Sequence, residues 1–328
     1  MSIVELKRIL ESLIPKQNII CIEVITTGQS HFCFKVECRD TTLFVKAYKR
    51  DTPNLSSVFY NALQCQTLAA QNGVSARVLH SCDQQFVMIS EFIDGVSLGQ
   101  SNLNNANKLS ILALALAQTH QLPISSLTNV VRVDIVDSVY QAIRQSPIQA
   151  NTKQLLQDKL DNLAKPWAQG IKKSVVTEGQ LPQNIGLIHG DLNFNNLLLN
   201  PDMCNISLAN TTKGLAQATH SKVTTTLSSG YIIDWDWACL GPIEYDIAMA
   251  CSINRLSTLE QSQLLAVYQK YSVNPYHINT SVVTRYLVVA HIVNFLWYLG
   301  ESNTLSVKTQ KHCLHYYAKC LDLPNFSL

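Results

Sequence analysis

The sequence predicts an α+β chain of two lobes, a small antiparallel-sheet lobe followed by a larger, mainly helical one. Three observations lead there. Strand-like segments crowd residues 19–92, long helical patterns fill the chain beyond residue 95, and one short β island interrupts them between Ile185 and Asp234. Strands and helices in separate blocks point to α+β. At 328 residues the chain is about twice the length of a typical domain, so two units are expected, 1–95 and 96–328.

The elements follow in order. Ser2 and Glu5 form a capping box before an apolar stripe of Ile3, Leu6, Ile9, Leu10 and Leu13, which predicts a helix ending near Pro15. Ile19–Ile25, Phe32–Cys38 and Thr42–Tyr48 read as strands, the last two joined by a turn at Arg39-Asp40. Ser56–Asn72 reads as a helix closed by Gly73, and two short strands are expected at Arg77–His80 and Gln85–Phe92. Leu109, Leu112 and Leu116 mark the first helix of the second lobe. Further helices are expected at Asp134–Gln145, Lys153–Trp167, Glu244–Ile253, Leu259–Tyr271, Val282–Leu299 and Lys308–Leu321. The stretch 203–230 is rich in Thr, Ser and Asn, lacks periodicity and is long for a hairpin loop, so it reads as a mobile insertion.

Composition removes several function classes. Lys and Arg total 25 against 23 Asp and Glu, a net charge of +2, which offers no footprint for nucleic acid or an anionic membrane. Apolar residues at 47% suffice for a large core, while charged residues at 15% leave Asn, Gln, Ser and Thr to cover much of the surface. Charges at Glu5, Lys7, Arg8, Glu11 and Lys16 break any secretory signal. The longest apolar stretch, Tyr286–Leu299, reads as too short to span a bilayer. None of the ten cysteines forms a C-x-x-C pair, so they are expected to be reduced core residues of a soluble cytoplasmic protein.

The chemistry concentrates in Leu187-Ile-His189-Gly-Asp191-Leu-Asn-Phe-Asn-Asn196-Leu-Leu-Leu199, followed by Tyr231-Ile-Ile-Asp234-Trp-Asp236-Trp. If Leu197–Leu199 pairs antiparallel with Tyr231–Ile233, strands about 4.8 Å apart bring Asn196 and Asp234 to one end, with Asp191 on the adjoining loop. An amide oxygen beside a carboxylate suits Mg²⁺, which prefers hard oxygens and shares them with phosphates. A further carboxylate, Asp191, can accept the proton of a hydroxyl nucleophile. Alone, each residue reads as a turn Asp or a capping Asn; all three at this spacing match the H-x-D-x-x-x-x-N plus Asp arrangement of phosphoryl transfer.

His189-Gly-Asp191-Leu-x-x-x-Asn196 with Ile233-Asp234-Trp235-x-Trp-Ala238 resembles the aminoglycoside phosphotransferase/choline kinase superfamily, whose fold is protein-kinase-like. The C-terminal third looks most like the thiamine kinase and bacterial choline kinase branch. The resemblance covers the chain apart from 203–230. It implies ATP and Mg²⁺ as cofactors, with Asp191 catalytic and Asn196 and Asp234 on the metal. It also implies a nucleotide loop at Thr27–Val36, with Gly28 and Ser30 near the phosphates and Lys46 holding them from the third strand. A hinge at Ile89–Gly95 would offer backbone groups of Glu91 and Ile93 to adenine. Asp246 and His120 match residues that brace the fold, and His189 is expected to brace its loop. Two departures stand out. No acidic residue in Ser56–Gly73 can pair with Lys46, leaving Asn61, Gln64 and Gln66 as polar candidates, and Asn193 replaces a histidine frequent in the family.

The acceptor pocket is expected between the catalytic loop and the C-terminal helices. Trp297 and Glu301 are four apart and share a helix face, and Asp236 follows Asp234 closely. Spacing alone reads Trp297 and Tyr298 equally as core packing. Resemblance to choline and thiamine kinases favours a cation site shaped by Asp236, Trp297 and Glu301, and a small cationic alcohol as substrate, thiamine before choline. The alternatives are a catalytically silent nucleotide-binding protein of the same fold, or a kinase for aminoglycosides or sugars. A protein kinase is disfavoured, because no Ala-Pro-Glu segment follows Asp234. Oligomeric state is not legible.

Overall fold

The computed structural model describes residues 3–14, 18–25, 31–127, 130–170, 184–199, 230–272, 278–300 and 306–323, with backbone only for 164–170. Gly28, Ser30, Glu301, Ser2 and nearly all of the 203–230 insertion lie outside the described residues.

The N-terminal lobe is a five-stranded antiparallel sheet in the order β1-β2-β3-β5-β4. Its strands are β1 (Ile19–Ile25), β2 (Phe32–Cys38), β3 (Thr42–Ala47), β4 (Val78–Cys82) and β5 (Val87–Glu91). Strand alternation sorts the two faces. Leu43, Val45 and Ala47 of β3 pack with Phe34, Val36, Val87 and Ile89 beneath helix α1 (Ile3–Leu13), which inserts Leu6 and Leu10. Lys46 and Tyr48 take the opposite face. There Tyr48 and Met88 pack on Phe59 and Ala62 of α2 (Leu55–Gln71), whose chain turns away through Gly73 at φ +73°. The pattern of three strands, a helix and two strands matches the sequence expectation.

The chain crosses into the helical lobe after Glu91. A two-residue strand β6 (Val96–Ser97) pairs with β8 (Leu197–Leu199), which pairs in turn with β9 (Tyr231–Ile232). A second ribbon joins β7 (Ile185–Ile188) to β10 (Cys239–Pro242). Neither β6 nor β10 was expected, since two and four residues containing Gly241 and Pro242 carry no alternation signal. Among the described residues the lobe is completed by α3 (Asn105–His120), α4 (Ile135–Gln145), α5 (Ala150–Gly170), α6 (Ile243–Ile253), α7 (Thr258–Tyr271), α8 (Thr280–Gly300) and α9 (Val307–Cys320). One continuous core runs from α3 and α4 through α6 and α8 to α9.

Helix α8 corrects one expectation. It runs 21 residues with a mean hydropathy of 1.5, long and apolar enough by those measures to cross a membrane. Its packing identifies it as a core helix. Val289, Ala290, Ile292 and Phe295 are buried against the lobe, and its polar groups bond inward. Ser252 Oγ lies 2.9 Å from His291 Nδ1, and Asn294 Nδ2 donates to Ser252 Oγ at 3.0 Å.

Candidate active site

The His189–Asp191 loop is held from beneath by one carboxylate. Asp246, fully buried in the first turn of α6, accepts the backbone N–H groups of His189 (2.9 Å) and Gly190 (2.8 Å). His120, at the end of α3, places Nε2 3.1 Å from the same carboxylate and Nδ1 2.9 Å from the Tyr268 hydroxyl. Burial opposes ionisation of Asp246, yet the His120 bond and charge outweigh it and hold the carboxyl below its usual range. Between them, Gly190 adopts φ +76°, and a Cβ there would stand 2.7 Å from the Trp237 carbonyl oxygen. The Gly of the His-Gly-Asp run is thus a backbone requirement.

His189 is fully buried. Its Nε2 donates to the Ile233 carbonyl at 3.0 Å, and its Nδ1 accepts the Asp191 N–H at 3.3 Å. Burial lowers its basicity, so the ring is neutral and ties the Asp191 loop to the strand leading to Asp234. Its contacts make His189 a brace of the loop.

Asn196 and Asp234 converge as the strand pairing requires. Leu197 pairs with Ile232, and the Ile233 N–H donates to the Asn196 carbonyl at 3.0 Å. Asn196 Nδ2 donates to the Asp191 carbonyl (2.9 Å) and to Asp191 Oδ2 (3.0 Å), while Asn193 Nδ2 reaches Asp191 Oδ1 at 3.3 Å. Burial, with the Asp234 charge next, pushes the Asp191 carboxyl up to about 7, against the pull of these amides. Asp234 takes a left-handed conformation at φ +67°, uncommon for a residue other than glycine and frequent where structure serves chemistry.

This donor set fits Mg²⁺. The Asn196 amide nitrogen is spent on Asp191, which leaves its carbonyl oxygen for a cation. The Asp234 side chain is 42% exposed, and Lys46 engages only its Oδ1. Among the described residues no cluster of three or more His, Cys, Asp or Glu could hold a metal. One or two hard oxygens supplemented by phosphates is the pattern of Mg²⁺.

Lys46 reaches across from β3. Its Nζ donates to Asp234 Oδ1 at 2.6 Å and to Asp236 Oδ2 at 2.7 Å. Burial opposes its charge, but the two carboxylates prevail and raise the ammonium well above its usual range. Asp236 also accepts the Tyr48 hydroxyl (2.8 Å) and His31 Nε2 (3.0 Å), and its carboxyl lies well below its ordinary range. Asn61 and Gln66 of α2 go elsewhere. Asn61 bonds the Ala238 carbonyl and receives the Val131 N–H, and Gln66 donates to the Ala76 carbonyl.

At the hinge the Glu91 side chain pairs with Arg77 at 2.7 Å. The N–H groups of Glu91 and Phe92 go to the carbonyls of Arg77 and Thr42, and the Ile93 N–H has no bond among the described residues.

The structure brings Asp191, Asn196, Asp234 and Lys46 together, and Asp236 joins Lys46 instead of Trp297. Among the described residues no contact links Asp236 to Trp297, which is 45% exposed at the end of α8. Trp297 belongs to an aromatic cluster: it meets Tyr298 edge-on, Tyr298 stacks on Tyr317, and Arg255 lies over Tyr316. The cluster adjoins the Asp191–Asn196 loop through Asn254, which accepts the Phe194 N–H at 2.9 Å next to Arg255. Sequence reasoning missed His31, Tyr48 and Asn254. Only Tyr48 left a signal, two residues after Lys46 on one face of the strand.

A family model described as choline/ethanolamine kinase matches residues 22–269. Among solved structures, the chain is similar to the choline kinase LicA of Streptococcus pneumoniae at 13% identity, covering 97% of this chain and 98% of that one with a TM-score of 0.68. LicA in complex with AMP matches at 14% identity, over 98% and 99%, with a TM-score of 0.65. An ethanolamine kinase of Plasmodium vivax matches at 14% identity, over 96% and 84%, with a TM-score of 0.62. These likenesses carry the fold. A search of curated proteins by sequence finds no match.

Proposed function

The chain belongs to the choline/ethanolamine kinase family and is a phosphotransferase with an alcohol acceptor; from that premise we propose that it transfers the γ-phosphoryl group of ATP to a small cationic alcohol, choline-like or thiamine. The observation that carries this is the joint geometry of Asp191, Asn196, Asp234 and Lys46 across the cleft.

Each residue has a defined task in this reading. Lys46 steadies the phosphates, and the Ile93 N–H serves the adenine ring. Asn196 and Asp234 would hold Mg²⁺, which would supply charge neutralisation on the phosphates. Asp191 orients the acceptor hydroxyl and takes its proton, and a carboxyl of raised basicity suits that role. With these groups fixed in advance, catalysis is chiefly positioning and electrostatics. Gly28 and Ser30 would complete the phosphate cradle. The exposed Trp297 face would receive the cation, with Glu301 adding charge.

The test is an acceptor panel with ATP and Mg²⁺: choline, ethanolamine, thiamine, an aminoglycoside and a neutral sugar. One cationic alcohol should exceed the sugar by orders of magnitude in kcat/KM. Trp297→Ala should raise that acceptor's KM by roughly tenfold, since a desolvated cation–π contact is worth up to about 2 kcal/mol. The nucleotide KM should not move. Equal turnover of the sugar and of every cationic alcohol would defeat the cation reading.

A further inference from the structure

We propose that Asp236 is the anchor of Lys46 in this chain, standing where kinases use a helix glutamate, and that His31 and Tyr48 anchor Asp236 in turn. The inference rests on Lys46 being a nucleotide-phosphate ligand, and it adds a positioning residue to that site.

The α2 sequence, Leu-Ser-Ser-Val-Phe-Tyr-Asn-Ala-Leu-Gln-Cys-Gln-Thr-Leu-Ala-Ala-Gln, holds no carboxylate. A strand lysine in a kinase is normally oriented by one. Asp236 supplies it from the other lobe. The Lys46–Asp236 pair has side chains only 8% and 10% exposed, whereas Asp234 is 42% exposed and has a metal to serve. A lysine tied to Asp234 alone would lose its orientation whenever that carboxylate turned to the cation. Asp236 has no such second duty, because its oxygens are already committed: Oδ2 to Lys46 and His31, Oδ1 to Tyr48.

The supports are built in. Tyr48 lies two residues beyond Lys46 on the same face, and its ring meets that of His31 with centroids 4.2 Å apart. His31 is buried, and its Nδ1 has no hydrogen-bond partner among the described residues, so the bond to Asp236 and the Tyr48 ring contact hold the imidazole. Three N-lobe side chains thus converge on one C-lobe carboxylate. Lys46 is set by how the lobes meet and not by the position of α2.

A double-mutant cycle on the full chain decides this, with ADP·Mg²⁺ dissociation constants and steady-state constants for both substrates. Asp236→Asn should weaken nucleotide binding about tenfold or more and lower kcat, with acceptor KM unchanged within about twofold. In a Lys46→Ala background the same change should add less than about twofold, because partners in one network are not additive. Tyr48→Phe, which removes a single hydroxyl, should give a nucleotide-side loss of about fivefold even if Asp236→Asn fails to fold. A raised acceptor KM with unchanged nucleotide affinity, or losses that multiply, would overturn the anchor and return Asp236 to the acceptor pocket. Because ADP affinity needs no acceptor, the cycle decides this even if no cationic alcohol is turned over. A wild-type chain that binds no adenine nucleotide would instead overturn the site reading itself.

Discussion

At the residue scale, the His189–Asp191 loop depends on a backbone shape as much as on its carboxylate. Gly190 carries φ +76° and lies against the Trp237 carbonyl, so any side chain there meets both strain and contact. Gly190→Ala should cost about 1–3 kcal/mol of stability, measured by denaturant unfolding, and should abolish most turnover by shifting Asp191. Unchanged stability would mean that the loop relaxes freely. The convergence of Asn196 and Asp234, with Asp191 on the adjoining loop, was legible because the pairing of two apolar runs, β8 and β9, sets the first two residues side by side. The partner of Lys46 was not. Lys46 and Asp236 are 190 residues apart, and only the docking of one lobe on the other brings them to 2.7 Å. No local pattern encodes that distance.

At the element scale, α6 and α8 form the spine of the C-terminal lobe, and their buried polar pair makes stability depend on pH. Burial lowers the His291 pKa to about 4, from an ordinary value near 6.5. The unfolded chain therefore binds a proton that the folded chain resists between those values. Stability from the neutral ring is complete above about pH 6.5 and is lost progressively as pH falls toward 4, by up to about 3 kcal/mol. His291→Gln should flatten the acid side of the melting-temperature profile over that window; an unaltered profile would assign the acid sensitivity elsewhere. The helices were legible from their apolar spacing, and the sheet of the first lobe from its alternation. Strands β6 and β10 were not, because each is defined by its partner: β6 only borders β8, and β10 contains Gly241 and Pro242. The length of α8 was also underread, since its first turns carry Thr280, Ser281, Thr284 and Arg285.

At the scale of the whole molecule, the cleft between the lobes gathers what neither lobe holds alone. The first lobe contributes Lys46, Tyr48, His31 and the hinge; the second contributes Asp191, Asn196, Asp234 and Asp236. The most direct test of the account compares the wild-type chain with Asp191→Asn, using ATP, Mg²⁺ and the best alcohol of the panel, with phosphoester formation followed beside nucleotide affinity. The wild type should form one phosphoester per ADP. Asp191→Asn should turn over slower by a factor of about 10²–10⁴, the range expected of a positioned general base, with ADP affinity unchanged within about twofold. Wild-type turnover by Asp191→Asn, or lost nucleotide binding with the chemical step intact, would contradict it.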